Sequence, residues 1–249
     1  MIARSQQEGV LTLRLAHGKA NALDVELLDA LLGELDGATE DVRAVILTGT
    51  GSIFSAGVDL FRLTREGADY VRRFLPLLSR CLRGLFTFPR PVVAAVNGHA
   101  IAGGCVIALA CDARLMAQGD GRIGVPELLV GVPFPAAALE VVRFAVPRDR
   151  VQSLIYSGRT LQPPDALAAG LIDEVVAPTQ LLARAQEVAR QLAMIPPEVY
   201  RLTKQSLRAE ALERIDGASE PHDRAVLEVW SAAETHTHIR EYLRRTVGK

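Results

Sequence analysis

Apolar residues in this chain switch between short runs and helical spacing, and each switch marks an element. Residues 10–15, Val-Leu-Thr-Leu-Arg-Leu, alternate in part between flanking glycines and predict a first strand. Leu27, Leu28, Leu31, Leu32 and Leu35 then recur at helical spacing, which predicts a helix over 24–35 that stops at Gly37. Residues 42–48 form an apolar strand, 49–52 a turn, and 53–60 a small-residue bend that ends in a helix start. Tyr70, Phe74, Leu77, Leu78, Cys81, Leu82, Leu85 and Phe86 trace one face of a long helix that Pro76 is expected to kink. A buried strand at 91–96 leads through a second bend at 97–105 into a buried helix from Val106, and 112–117 reads as a further strand. The prolines of 131–135 forbid a regular helix there. Beyond residue 136 helical patterns dominate, apart from a short strand within 171–176, and 223–245 reads as one long helix carrying Val226, Leu227, Trp230, Ile239, Tyr242 and Leu243. Strand, glycine-containing turn and helix recur three times before residue 136, the pattern of a layered α/β core, with no linker long enough to separate independent domains.

Composition narrows the class without changing that picture. The chain has 249 residues with 49% hydrophobic content, enough for an extensive core. Its 28 basic and 29 acidic residues give a net charge of -1, so no global field recruits nucleic acid or an anionic membrane. Cys81, Cys105 and Cys111 sit in apolar surroundings without metal-ligand spacing and read as core residues of a reducing compartment. The first residues contain no apolar signal region, and no apolar stretch is long enough to span a membrane, so the expectation is a soluble, cytoplasmic protein.

The two bends carry the candidate chemistry. Gly103 and Gly104 lack a Cβ, so a ligand can approach the main chain there, and the N–H groups of a first helical turn point at any atom that gains negative charge. The bend around Gly57-Val58 has the same plan. Two such donors can grip one oxygen, as a thioester carbonyl turning into an enolate requires.

Five segments in order, Ala20-Asn21-Ala22-Leu23-Asp24, residues 54–60 around Ala56-Gly57-Val58, residues 97–105 around Ala102-Gly103-Gly104-Cys105, residues 125–131 around Pro126-Glu127-Leu128, and residues 165–176, resemble the crotonase family, also called the enoyl-CoA hydratase/isomerase superfamily. The resemblance implies a spiral of ββα units over 1–195 and a helical region over 196–249, either part of the same domain or a trimerisation subdomain. It further implies assembly as a homotrimer or a hexamer, an acyl-CoA substrate, and no cofactor beyond the coenzyme A that the substrate itself carries. By that resemblance Val58 and Gly103 supply the oxyanion N–H groups, with Ala102 replacing the first glycine of the family's run. Ala20, Asn21, Ala22 and Leu23, together with Ser55, Ala56, Gly57, Asp59 and Leu60, correspond to segments along the adenine and pantetheine arm of coenzyme A, and Gly104 is a further substrate-binding position.

One departure decides the expected reaction. Hydratases of the family place a glutamate after the Gly-Gly-Cys and a second in the Pro-Glu-Leu motif, so that the pair holds a water; this chain has Val106 and Glu127. A valine neither orients water nor exchanges a proton, so efficient hydration is not expected. A single glutamate is similar to the arrangement of the Δ3,Δ2-enoyl-CoA isomerases of the family, in which one base carries a proton along the acyl chain. An apolar neighbour such as Val106 is also expected to raise the pKa of Glu127. The alternatives are other thioester-enolate chemistry (thioesterase, decarboxylase or weak hydratase) and a non-catalytic member that binds CoA esters or RNA.

The remaining polar candidates read as structural. His99 is expected to pack, Asp59 to cap a helix, Glu140 to be a solvated helix position, and His236 and His238, two residues apart, to face different ways and make a poor metal pair. The floor of the acyl pocket is expected from residues after Tyr70 and from the C-terminal helices.

Overall fold

In the computed structural model, which describes the backbone of residues 1–246 and all of their side chains except those of 218–220, the chain winds through repeated strand-strand-helix units. The strands are β1 (Ile2–Gln7), β2 (Val10–Leu15), β3 (Ala44–Thr48), β4 (Ile53–Ser55), β5 (Val92–Val96), β6 (His99–Ile101), β7 (Ala113–Ala117), β8 (Ile123–Gly124), β9 (Thr160–Leu161) and β10 (Glu174–Val176). The helices are α1 (Val25–Asp36), α2 (Leu60–Glu66), α3 (Ala68–Thr87), α4 (Gly103–Ala110), α5 (Glu127–Val130), α6 (Ala136–Ala145), α7 (Arg148–Ser157), α8 (Pro163–Ala168), α9 (Leu181–Ala193), α10 (Pro197–Ser231) and α11 (Ala233–Thr246), with a 3-10 turn at Pro178–Gln180.

The first unit puts both its strands into the larger of two sheets, and the pairs β3-β4, β5-β6 and β7-β8 each put one strand into each sheet. The larger has the order β1-β2-β3-β5-β7-β10 and the smaller β4-β6-β8-β9. The inner strands of the larger sheet pair in parallel, so both faces need cover. Strands β3 and β5 are accordingly buried at every position, with α9 packed on one face. The main core lies on the other face, where α1, α3 and α4 gather.

Most expected elements are present, and their ends have visible causes. Asp24 caps α1, its carboxylate accepting from the Leu27 N–H at 2.8 Å, and Gly37 closes it. Helix α4 is apolar on every side and fully buried, as a central helix must be. Helix α3 continues through Pro76 to Thr87 because nine buried residues fix its inner face.

The structure adds three elements that the sequence left unassigned and corrects one expectation. Residues 2–7 form β1, an antiparallel edge strand on β2, although five of its six side chains are exposed and leave no alternation to read. The bend at 97–105 contains the strand β6, three residues held by pairing with β4 and β8. Residues 127–130 close one helical turn, α5, before the prolines, ended by Gly131 at φ 89°. The long C-terminal helix is broken at Ala232, whose ψ of 139° is extended, so α10 and α11 are separate. No helix among the described residues is long and apolar enough to cross a membrane.

Candidate active site

The first bend, before α2, is tied to the loop before α1. Asn21 adopts φ 47° and is buried, its amide donating to the carbonyls of Ile53 and Phe54 at 3.1 and 3.2 Å. Ser55 Oγ donates to Asn21 O at 2.7 Å, Ala56 N–H to Ala20 O at 3.0 Å, and Leu23 N–H to Gly57 O at 2.7 Å. These bonds occupy the side chains of Asn21 and Ser55 inside the scaffold. Asp59, as expected, caps α2 through its carboxylate and the Arg62 N–H at 2.9 Å.

The bends then pack backbone against backbone. A Cβ on Gly57, which sits at φ 82°, would lie 2.6 Å from Ile101 O and 2.9 Å from the Ala102 Cβ. A Cβ on Gly104 would lie 2.4 Å from Ser55 O, so this position tolerates no side chain either. Ala102 itself holds φ 52° and ψ -127°, an orientation that starts α4 at Gly103 and is costly for a residue with a Cβ. The bridge between Leu23 and Val58 uses the N–H of Asp59 and the carbonyl of Gly57, which turns the Val58 N–H the other way.

A cavity of about 650 Å³, open mouth included, lies beside these bends and is lined by Val58 and Gly103 from them and by Val106 from α4. Glu127 and Val130 from α5, Leu78 and Leu82 from α3, and Trp230 and Tyr242 from α10 and α11 complete most of its wall. The expected pair of main-chain positions and the expected acid thus share one cavity, with Ala56 and Leu60 also on its wall. Ala20, Asn21, Ala22, Leu23, Ser55, Gly57, Asp59 and Gly104 stand behind it or beyond it, where they shape the bends.

Among the described residues Glu127 is the one acid on that wall. It is buried, and its Oε2 has no hydrogen-bond partner among them. Loss of water from around the carboxylate raises its pKa from the ordinary 4.5 to about 8, only partly offset by a bond to its own main chain. Cys105, behind it on α4, is buried and held as a thiol, its pKa raised by burial and by the Glu127 charge.

The other polar candidates lie elsewhere. His99 Nδ1 accepts from the Arg122 N–H at 3.2 Å, a packing role in the small sheet. Glu140 is not a solvated position: it is buried, bonded to Arg143 and Arg214 at 2.6 Å each. Arg214 comes from α10, 74 residues later, a partner that helical spacing cannot reveal. His236 and His238 do face apart, one ring on Trp230 O at 2.8 Å and the other on Leu129 O at 3.3 Å. Tyr242 is a wall residue to which the sequence assigned no individual role; it comes from the C-terminal helices expected at the pocket, four residues after His238 on α11.

Known proteins share this fold and part of this sequence. The family model described as enoyl-CoA hydratase/isomerase matches residues 5–245. A short-chain-enoyl-CoA hydratase of Clostridium acetobutylicum is 34% identical over 191 residues, 75% of this chain and 72% of that protein. An enoyl-CoA isomerase of Mycobacterium tuberculosis superposes with a TM-score of 0.80 at 32% identity, covering 93% of this chain and 98% of the other. Human mitochondrial Δ3-Δ2-enoyl-CoA isomerase superposes with a TM-score of 0.94 at 24% identity, covering 99% and 98%, a likeness of fold.

Proposed function

Because the chain belongs to the enoyl-CoA hydratase/isomerase family, we propose that it moves a double bond in an acyl-CoA, converting a 3-enoyl-CoA to the conjugated 2-enoyl-CoA, with Glu127 carrying the proton. The observation that carries this reading is the lone carboxylate: among the described residues Glu127 is the one acid lining a cavity whose wall also holds Val106.

The chemistry follows from the charges. In a 3-enoyl-CoA the C2 hydrogen lies between a thioester and a double bond. Ionised Glu127 takes that proton, and the electron pair of the C2–H bond delocalises into the thioester carbonyl and over C4. The N–H groups of Val58 and Gly103 receive the resulting oxyanion, a contact for which one lost donor typically costs about 2.7–4 kcal/mol. Glu127, now a neutral acid, returns the proton at C4, leaving the double bond between C2 and C3. A base with a pKa of about 8 suits both halves, since it is strong enough to take the proton and acidic enough to return it. Coenzyme A enters as part of the substrate, and the reaction as written needs no further cofactor.

Purified protein supplied with 3-hexenoyl-CoA is expected to produce 2-hexenoyl-CoA, followed by the ultraviolet absorbance of the conjugated thioester. Release of free thiol without a conjugated product would replace this reading with thioester hydrolysis.

A further inference from the structure

Helix α11 is docked onto the element that carries the acid. His238 bonds to Leu129 O of α5 and lies against Gly131, where a Cβ would stand 2.5 Å from its ring. Tyr242 follows His238 by one helical turn and therefore shares its face. That face brings Tyr242 onto the cavity wall with Glu127. The phenol lies within reach of the carboxylate's charge: its pKa is raised first by burial and then by the Glu127 charge, with Arg245 opposing.

Among the described residues that line the cavity, side-chain polar atoms belong only to Glu127, Trp230 and Tyr242. The Trp230 N–H is already engaged with Pro133 O at 2.9 Å. Glu127 Oε2 is buried with no partner, in a cavity whose filling removes the remaining water. The main-chain N–H groups at Val58 and Gly103 are the donors that the thioester oxygen requires. We propose, building on the isomerase reading, that Tyr242 is a positioning residue: when an acyl group fills the cavity its phenol donates a hydrogen bond to one Glu127 oxygen, leaving the other to face the reacting carbons.

Two consequences separate this role from simple packing. The bond favours ionised Glu127, so its loss moves the carboxyl pKa further up. It also orients the base without holding the substrate, so its loss lowers kcat and leaves KM nearly unchanged. Tyr242→Phe keeps the ring and removes the hydroxyl. The test follows the carbonyl stretch of protonated Glu127 by infrared pH titration with saturated hexanoyl-CoA bound, Glu127→Gln identifying the band. This measurement needs no turnover and remains decisive if 3-hexenoyl-CoA is not a substrate. Tyr242→Phe is expected to raise the midpoint, and on a turned-over substrate to lower kcat about tenfold while moving the acid limb of the profile to higher pH. An unchanged midpoint overturns the proposal, whatever the rate does.

Discussion

Glu127 is the residue on which stability and reactivity oppose each other. Its carboxyl titrates at about 8 in the folded chain against an ordinary 4.5, so between those values the folded state holds a proton that the unfolded state has released. Stability is therefore undiminished below pH 4.5 and falls as pH rises through 8, above which the folded protein carries a buried charge. Glu127→Gln never ionises. Relative to the wild type it is expected to be nearly as stable at pH 5 and more stable at pH 9, by on the order of 4 kcal/mol at most. Urea unfolding at the two pH values measures this, and a difference that does not change with pH would show that the carboxylate is not desolvated. On the proposed mechanism the same titration governs the rate, since only the ionised form removes a proton. The value of kcat/KM should therefore rise with pH to a plateau above about 8. The presence of this acid was legible in its motif. The burial of Glu140 was not, because its partner Arg214 lies on a helix far along the chain.

At the scale of elements, strand-to-helix bends place main-chain groups, and their sequences show why small residues stand there. Gly57 and Gly104 are required by close approach and, at Gly57, by positive φ. Ala102 is the exception, a side chain held at φ 52° and ψ -127°. Ala102→Gly relieves this strain and is expected to stabilise the fold by about 1 kcal/mol after the added freedom of the unfolded glycine is counted. A thermal melt shows it as a raised midpoint; a lowered midpoint would mean that the alanine methyl packs against Gly57 more favourably than the backbone is strained. Long elements with one apolar face, such as α1 and α3, were readable from spacing, and so were the fully apolar β3 and β5. The strands β4, β6, β8 and β9 were not, being two or three residues long and defined by pairing across the spiral. The break at Ala232 also escaped, since neither glycine nor proline marks it.

Across the whole molecule, the helical region closes the site that the spiral opens. Helix α10 is anchored to the core by Asp112, whose two carboxylate oxygens accept from Lys204 at 2.7 Å and Arg208 at 2.8 Å, all three side chains nearly buried. Burial lowers the Lys204 pKa to about 8 against the pull of Asp112. From that anchor α10 runs to Trp230 and the chain turns into α11, which brings Tyr242 to the cavity. The ββα plan was implied by motifs that reach residue 176 and the cavity's two bends by the glycines of the first 105 residues, whereas its outer wall depends on packing between distant helices. The assembled site makes one claim above the rest, that a single carboxylate performs the chemistry. The most direct test compares wild type and Glu127→Gln for conversion of 3-hexenoyl-CoA to the conjugated isomer at pH 8.5. The wild type is expected to convert it and the variant to be slower by at least about a thousandfold, since an amide cannot accept the C2 proton. Equal rates in the two proteins would contradict the assignment of Glu127 as the base.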